Sequence, residues 1–339
     1  MKIEILCGGG SPDGVHLSDI HGKNGRVGVG GAELALLTLC EGWHRAGHEV
    51  ILYNNPKRND GIFEQRPVDD FERVEKTGVV IFFREPTPKV VNVKVKKFFF
   101  SCDQYTIGEF SHFAKFVDKV ITISPHHSKY FQERYGIENS IPIDLPVRDW
   151  EYEQEVEKVP NRLIFTSVPD RGLEYVAKTF PKIKEQIPDA TLVVTSDYRL
   201  WGSVSPSNSQ YIQMFMRMDG VEFLGAVPRE RLIQEQMKAQ IHYYPCSYEE
   251  LFCIAVAESM VASTLPITTP IGALETTNMG VIIDGNAADS ITQQMFVQTT
   301  IEMLRDPNLC GMQNKVKEMA LQRFGIDNIM KQWDEKVFK

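Results

Sequence analysis

The chain has 339 residues, of which 42% are hydrophobic, 24% charged and 10% aromatic; this excludes a disordered chain or a collagen-like fibre and suits about two domains. The formal net charge is −8, with 19 Lys and Arg against 20 Asp and Glu in residues 1–150 and 18 against 25 in residues 151–339. Neither half is basic, so nucleic acid is excluded as the main partner.

No apolar run reaches the ~18 residues of a membrane-spanning helix. The opening segment, with a lone lysine and a short apolar stretch, reads as a first strand over Ile3–Leu6 rather than a signal peptide. A helix over Ala32–Ala46 follows, with Leu34, Leu37, Leu39 and Trp43 near helical period and a stop at Gly47. Strands are expected at Glu49–Tyr53, Gly78–Phe83, Lys97–Ser101 and Lys119–Ser124, and Pro125 opens a helix that runs through Tyr135 to Gly136. The basic cluster Lys94, Lys96 and Lys97 reads as a solvated strand edge.

Residues 149–161 hold five acidic side chains without apolar periodicity and read as a linker. A second series follows: strands at Leu163–Thr166, Thr191–Thr195, Val221–Leu224, Ile241–Tyr244, Leu265–Thr268 and Val281–Ile283, and helices at Leu173–Gln186, Arg229–Ala239 and Phe252–Ala262. The chain from Ser290 onward is helical. Alternating strands and helices imply two α/β domains with parallel sheets, and a ligand cleft between them is the default expectation. The six cysteines lack CxxC or zinc-ligand spacing and read as reduced thiols of a cytoplasmic protein.

Three segments carry chemistry. Gly28-Val29-Gly30-Gly31-Ala32-Glu33 opens the first helix. Its glycines allow close backbone approach, and free helix N–H groups favour phosphate. A dinucleotide fingerprint needs a third glycine where Glu33 stands and its first glycine directly after the strand, so a nicotinamide site is disfavoured. The other reading is a turn that only closes the helix. The second segment is Ser167–Gly172, after a strand, where Arg171 suits a diphosphate or serves turn chemistry with Asp170.

The third segment, Pro245–Glu258, holds Glu250 and Glu258 on either side of a helix start. The helix Phe252–Ala262 is otherwise almost wholly apolar, so Glu258, about two turns inside it, needs a partner or must face solvent. An anionic diphosphate suits the helix N-terminus between the two carboxylates.

With these residues in view, the strand–GGAE–helix, the Arg171-Gly172 loop and the E-x7-E element after Pro-Cys-Ser resemble retaining glycosyltransferases of the GT-B fold, family four (glycosyl transferases group 1). The segment TTPIGALETTNMGVII is similar to the donor-domain loop and strand of that family. The resemblance implies two Rossmann-like domains with a cleft between them: an acceptor-side domain over 1–148, the linker 149–161, a nucleotide-sugar domain over 162–310 and a helical tail over 311–339, for which the first domain is one packing place.

It also implies roles. Gly30 and Gly31 approach the donor phosphate, Arg171 neutralises the diphosphate, Glu258 holds the ribose, and Glu250 stands near the transferred sugar. Phe252, Cys253 and Ile254 form the backbone run over diphosphate and sugar. Where the family often has histidine after the fourth strand, this chain has Cys102 and Asp103, and Asp103 is taken as catalytic with Glu250. The family's glycine after Phe is Cys253 here.

The implied activity is metal-independent transfer of a hexose from a nucleotide diphosphate sugar to an acceptor hydroxyl with retention. It needs no cofactor, and the acceptor is a carbohydrate, lipid or protein. Membrane contact has no strong basic amphipathic helix to support it. The alternatives are a sugar-nucleotide-binding protein without transferase activity and an epimerase on the same fold. For Asp103, the competing expectation is a cap on the next helix near Gly108.

Overall fold

The computed structural model describes residues 1–7, 14–22, 28–58, 60–106, 108–201 and 206–339. Two compact units emerge: Met1–Ile20 with Gly31–Pro146 and Phe324–Lys339 form one, and the other is chiefly Val147–Arg323.

The first unit contains β1 (Lys2–Cys7), α1 (Gly31–Arg45), β2 (Glu49–Tyr53), β3 (Glu64–Arg66), β4 (Val79–Phe83), β5 (Lys97–Phe100), α2 (Phe110–Phe113), β6 (Lys119–Thr122), α3 (Pro125–Tyr135) and β7 (Ser140–Pro142). Its seven strands lie in the order β3-β2-β1-β4-β5-β6-β7, and the pairings are parallel. Ile3, Ile5, Val80, Ile81, Phe82 and Phe99 are fully buried, as expected of strands covered on both faces. Ser124 caps α3 by accepting from the His127 N–H, Pro125 takes its first position, and Gly136 ends it at φ 66°.

Of the lysine cluster, Lys94 and Lys96 are exposed as expected, and Lys97 departs from the solvated strand edge. Lys97 begins β5, an interior strand, and its Nζ donates to the carbonyls of Val90 and Val93 at 3.1 and 2.7 Å. Those carbonyls close a 3₁₀ turn, so the ammonium serves as a local cap rather than as solvated edge charge.

The second unit contains β8 (Arg162–Thr166), α4 (Leu173–Gln186), β9 (Thr191–Thr195), α5 (Pro206–Phe215), β10 (Val221–Phe223), α6 (Arg229–Lys238), β11 (Ile241–Tyr244), α7 (Ile254–Val261), β12 (Leu265–Thr268), α8 (Leu274–Thr277), β13 (Val281–Ile282), α9 (Ser290–Arg305) and most of α10 (Leu309–Phe324). Its six strands run β10-β9-β8-β11-β12-β13, again in parallel pairs. Residues 149–161 begin with a turn over Asp149–Tyr152 whose tyrosine is buried. The architecture is therefore two Rossmann-like α/β domains.

The last helix, α11 (Ile326–Trp333), packs within the first unit. Trp333 meets Trp43 of α1 edge-on at 5.1 Å between ring centroids and Phe100 of β5 at 5.5 Å. Gly42 makes room for this helix, because a Cβ there would stand 2.8 Å from the Met330 sulfur. No helix among the described residues is long and apolar enough to cross a membrane, and none of the six cysteines forms a disulfide.

One interaction locks α6 to α7. Lys158 Nζ donates to the carbonyls of Ala239 and Ala262, which cap the C-termini of these helices, at 2.7 and 3.0 Å, and to Thr264 Oγ1 at 2.8 Å. Burial, together with the charge of Lys317, pulls the ammonium down to about 7, against a smaller upward pull from Cys310. Lys158→Met leaves both buried carbonyls without this donor and is expected to cost about 2–3 kcal/mol, read as a shift in the chemical denaturation midpoint. An unchanged midpoint would mean that water replaces the ammonium.

Candidate active site

The carboxyl ends of β8 and β11 are brought together by glycines. Gly172 has φ 110°, and a Cβ on it would lie 2.1 Å from the Pro245 carbonyl oxygen. Gly272 has φ 61°, and a Cβ on it would lie 2.3 Å from the Glu250 carbonyl oxygen, which accepts from Ala273 N–H at 2.7 Å. No other residue permits such approach at these dihedrals. The loop after β8 is thereby pressed against the loop after β11, and the Glu250 backbone is held from behind.

This packing joins two of the sequence-derived candidates. Arg171 Nε lies 3.4 Å from Glu250 Oε1, and Arg171 Nη1 donates to Asp170 Oδ2 at 2.9 Å. The guanidinium also stacks on the Tyr248 ring, 3.2 Å from its centroid. Tyr244, the last residue of β11, donates its hydroxyl hydrogen to Glu250 Oε1 at 2.8 Å. Burial raises Glu250 above the usual carboxylate range, although Arg171 and the Tyr244 bond pull it down. Neither Tyr244, the end of an expected strand, nor Tyr248, inside the third segment, is a site candidate from sequence. Strand-end position, the rule that picked out Arg171, would have found Tyr244.

Phe252 and Cys253 precede α7, which begins at Ile254 rather than at the expected Phe252. The reason is Cys253, whose φ of 73° is left-handed and cannot continue a helix backward. It occupies with a side chain the conformation that glycine takes freely, which accounts for glycine at this position in the family that the element resembles. Cys253 offers no side-chain bond to the first turn of α7.

Glu258 therefore sits just over one turn into α7, not two, and it is not solvent-facing: it is 4% exposed. Its ion-pair partner is Arg229 of α6, with Nη1 2.8 Å from Oε1. In the sequence Arg229 stands only as the first residue of an expected helix, with no role at the site. The signal was the apolar helix around Glu258, which demands a buried countercharge. Glu258 and the Arg171–Glu250 pair thus stand in separate clusters of the second unit.

Gly31 is the first residue of α1 and belongs to the first unit, whereas Gly30 before it belongs to the second; Glu33 of α1 meets Arg84 Nη1 at 3.2 Å. Arg84 follows β4 with φ 63° and grips Asp103 bidentately, Nε to Oδ2 at 2.5 Å and Nη2 to Oδ1 at 2.6 Å. Asp103 does not cap the next helix. The N-cap of α2 is Glu109, without a side-chain bond, and the Arg84 fork takes both Asp103 oxygens. The Asp103 carbonyl lies 3.2 Å from His127 Nε2; burial pushes His127 down to about 3, so its ring is neutral. Nδ1 of that ring accepts from Ile123 N–H, which leaves Nε2 as the donor. The neighbouring Cys102 thiol is pushed up by burial and by Asp103, so it stays protonated. No group of three or more His, Cys, Asp or Glu side chains placed to hold a metal occurs among the described residues.

Residues 160–306 match the family model described as Glycosyl transferases group 1. No curated protein sequence matches the chain. Among solved structures, Anabaena HepE in complex with UDP and glucose is similar at 15% identity and a TM-score of 0.73, over 99% of both chains. Sucrose-phosphate synthase from Thermosynechococcus elongatus is similar at 14% identity and a TM-score of 0.73, over 99% of this chain and 98% of that one. A glycosyltransferase from Rickettsia africae gives 14% identity and a TM-score of 0.73, over 98% and 96%. At these identities the likeness is one of fold.

Proposed function

We propose that this chain, which carries a glycosyl transferases group 1 domain over residues 160–306, transfers a sugar from a nucleotide diphosphate sugar to an acceptor hydroxyl. The observation that carries the reading is the Arg171–Glu250 pair at the carboxyl edge of the second sheet, inside the matched domain and directly before α7. Arg171 stabilises the diphosphate leaving group together with the N-terminus of α7, without a divalent metal. Phe252, Cys253 and Ile254 supply backbone contacts there, and Glu258 accepts the ribose hydroxyls. Glu250 faces the transferred hexose. Gly30 and Gly31 offer a close backbone approach to phosphate, and Asp103 accepts from the acceptor hydroxyl.

Transfer proceeds with retention. The bond from the anomeric carbon to diphosphate breaks, the acceptor oxygen bonds on the same face, and the hydroxyl proton passes to the leaving diphosphate. UDP-glucose is the first donor to test, because HepE is described with UDP and glucose. Release of UDP coupled to a glycosylated product supports the reading, whereas binding without turnover of UDP-, GDP- or ADP-sugars would leave a nucleotide-sugar-binding protein.

Arg171→Ala removes a charge-assisted diphosphate contact and is expected to weaken UDP binding about 10- to 100-fold. Uridine should be affected little, since it has no diphosphate. Calorimetric titration of both ligands checks this, and equal losses would make the arginine structural.

A further inference from the structure

The Glu258–Arg229 contact is one link of a longer buried chain. Arg148 Nε lies 2.6 Å from Glu151 Oε1, Glu151 Oε2 lies 2.5 Å from Arg229 Nε, and Arg229 Nη1 lies 2.8 Å from Glu258 Oε1. Arg148, Arg229 and Glu258 are only 3%, 5% and 4% exposed. Burial opposes the charge on Glu151, yet Arg229 and Arg148 hold its carboxyl below the usual range. Signs alternate along the row, so each carboxylate is matched by a guanidinium, as buried charges require.

The last link is incomplete. The 2.8 Å approach of Arg229 to Glu258 is an ion pair without hydrogen-bond alignment, and both Arg229 Nη2 and Glu258 Oε1 are buried without a hydrogen-bond partner among the described residues. Tyr152, itself buried, stands against both Arg229 and Glu258 at this end of the row. Upstream, the row is closed: Glu151 has both oxygens taken by arginines. The row runs from Arg148 to Glu258, whose carboxylate is held at its end by Arg229.

We infer that Arg229 is the positioning residue of the nucleotide site: it fixes the Glu258 carboxylate toward the ribose hydroxyls and thereby sets the preference for ribose over sugars lacking them. This rests on the proposed reading of Glu258 as the ribose contact. Arg229 acts through Glu258, and Glu151 acts through Arg229. Without the guanidinium, nothing in the row holds the Glu258 carboxylate in place, and it turns away from the diol.

The test is a ratio of dissociation constants. Among UDP, GDP and ADP, the tightest binder is paired with its 2′,3′-dideoxy form, and both are titrated calorimetrically. The parent protein is expected to prefer the ribose form by about 10- to 100-fold, the scale of a hydrogen bond to a charged group. Arg229→Met should bring the ratio close to one, Arg229→Lys should restore part of it, and Glu151→Gln should lower it.

An unchanged ratio in Arg229→Met protein that still melts cooperatively would overturn the inference. If that variant does not fold, an unchanged ratio in Glu151→Gln does the same. Equal binding of both forms by the parent would overturn the ribose role of Glu258 while leaving transfer by Arg171 and Glu250 intact. No binding of any of the three diphosphates would overturn the proposed function itself.

Discussion

Glu250→Gln is expected to lower kcat for sugar transfer by about 100-fold or more, the scale for removing one preorganised electrostatic group, without lowering Tm. The amide keeps the shape of the side chain, and its oxygen still accepts from Tyr244. It cannot balance Arg171 or carry charge beside the reacting sugar. Burial raises the Glu250 pKa in the folded protein. The stability linked to such a group is fully present below its unfolded value and is lost as pH rises through the folded one. At neutral pH the ionised carboxylate is therefore a stability cost, and the glutamine variant should melt at the same temperature or higher. Turnover of the parent that needs the ionised form should fall as pH drops through the raised value, at a higher pH than for an ordinary carboxylate. A variant with lower Tm and unchanged kcat would make Glu250 only the counter-ion of Arg171.

The largest stability effect is expected at Trp333. It is 1% exposed and packs on Trp43, Phe100 and Phe338 with centroids 5.1, 5.5 and 5.8 Å away. Trp333→Ala removes these edge contacts and leaves a cavity beside α1, at a cost of about 3–5 kcal/mol. Trp333→Phe retains part of the aromatic packing and should lose less than half as much. Differential scanning calorimetry should show the loss in the unit that holds Trp43, with nucleotide affinity of the second unit unchanged. A loss below ~1 kcal/mol would mean that the surroundings collapse onto the gap.

Much of the fold was legible because interior strands of parallel sheets are continuous apolar runs. Glu49–Tyr53, Thr191–Thr195, Ile241–Tyr244 and Leu265–Thr268 were read with the bounds the structure gives, as was the helix Leu173–Gln186. The edge strands β3, Glu64–Arg66, and β7, Ser140–Pro142, were not, because a strand paired on one side needs no apolar run. The start of α7 was misjudged because the left-handed backbone at Cys253 leaves no mark in composition.

Arg171 and Glu250 were legible by motif and strand-end position, and the structure joins them in one cluster. Arg84 also follows a strand directly, yet the bidentate grip on Asp103 is a tertiary contact. The countercharge of Glu258 could be demanded from the sequence, but its identity as Arg229 depends on how α6 lies beside α7, which no local pattern encodes.

The return of Phe324–Lys339 to the first unit bears on the order of synthesis. The sheet from β1 to β7 leaves the ribosome early, but the helix that covers Trp43 and Phe100 is translated only after Val147–Arg323. At ~5–20 residues per second that interval lasts roughly 10–35 s. Throughout it the nascent first unit carries an uncovered aromatic face, whereas the six strands of the second unit are all translated within it. The unit begun first is completed last, and a chaperone on the emerging chain has that interval in which to shield the indole of Trp43.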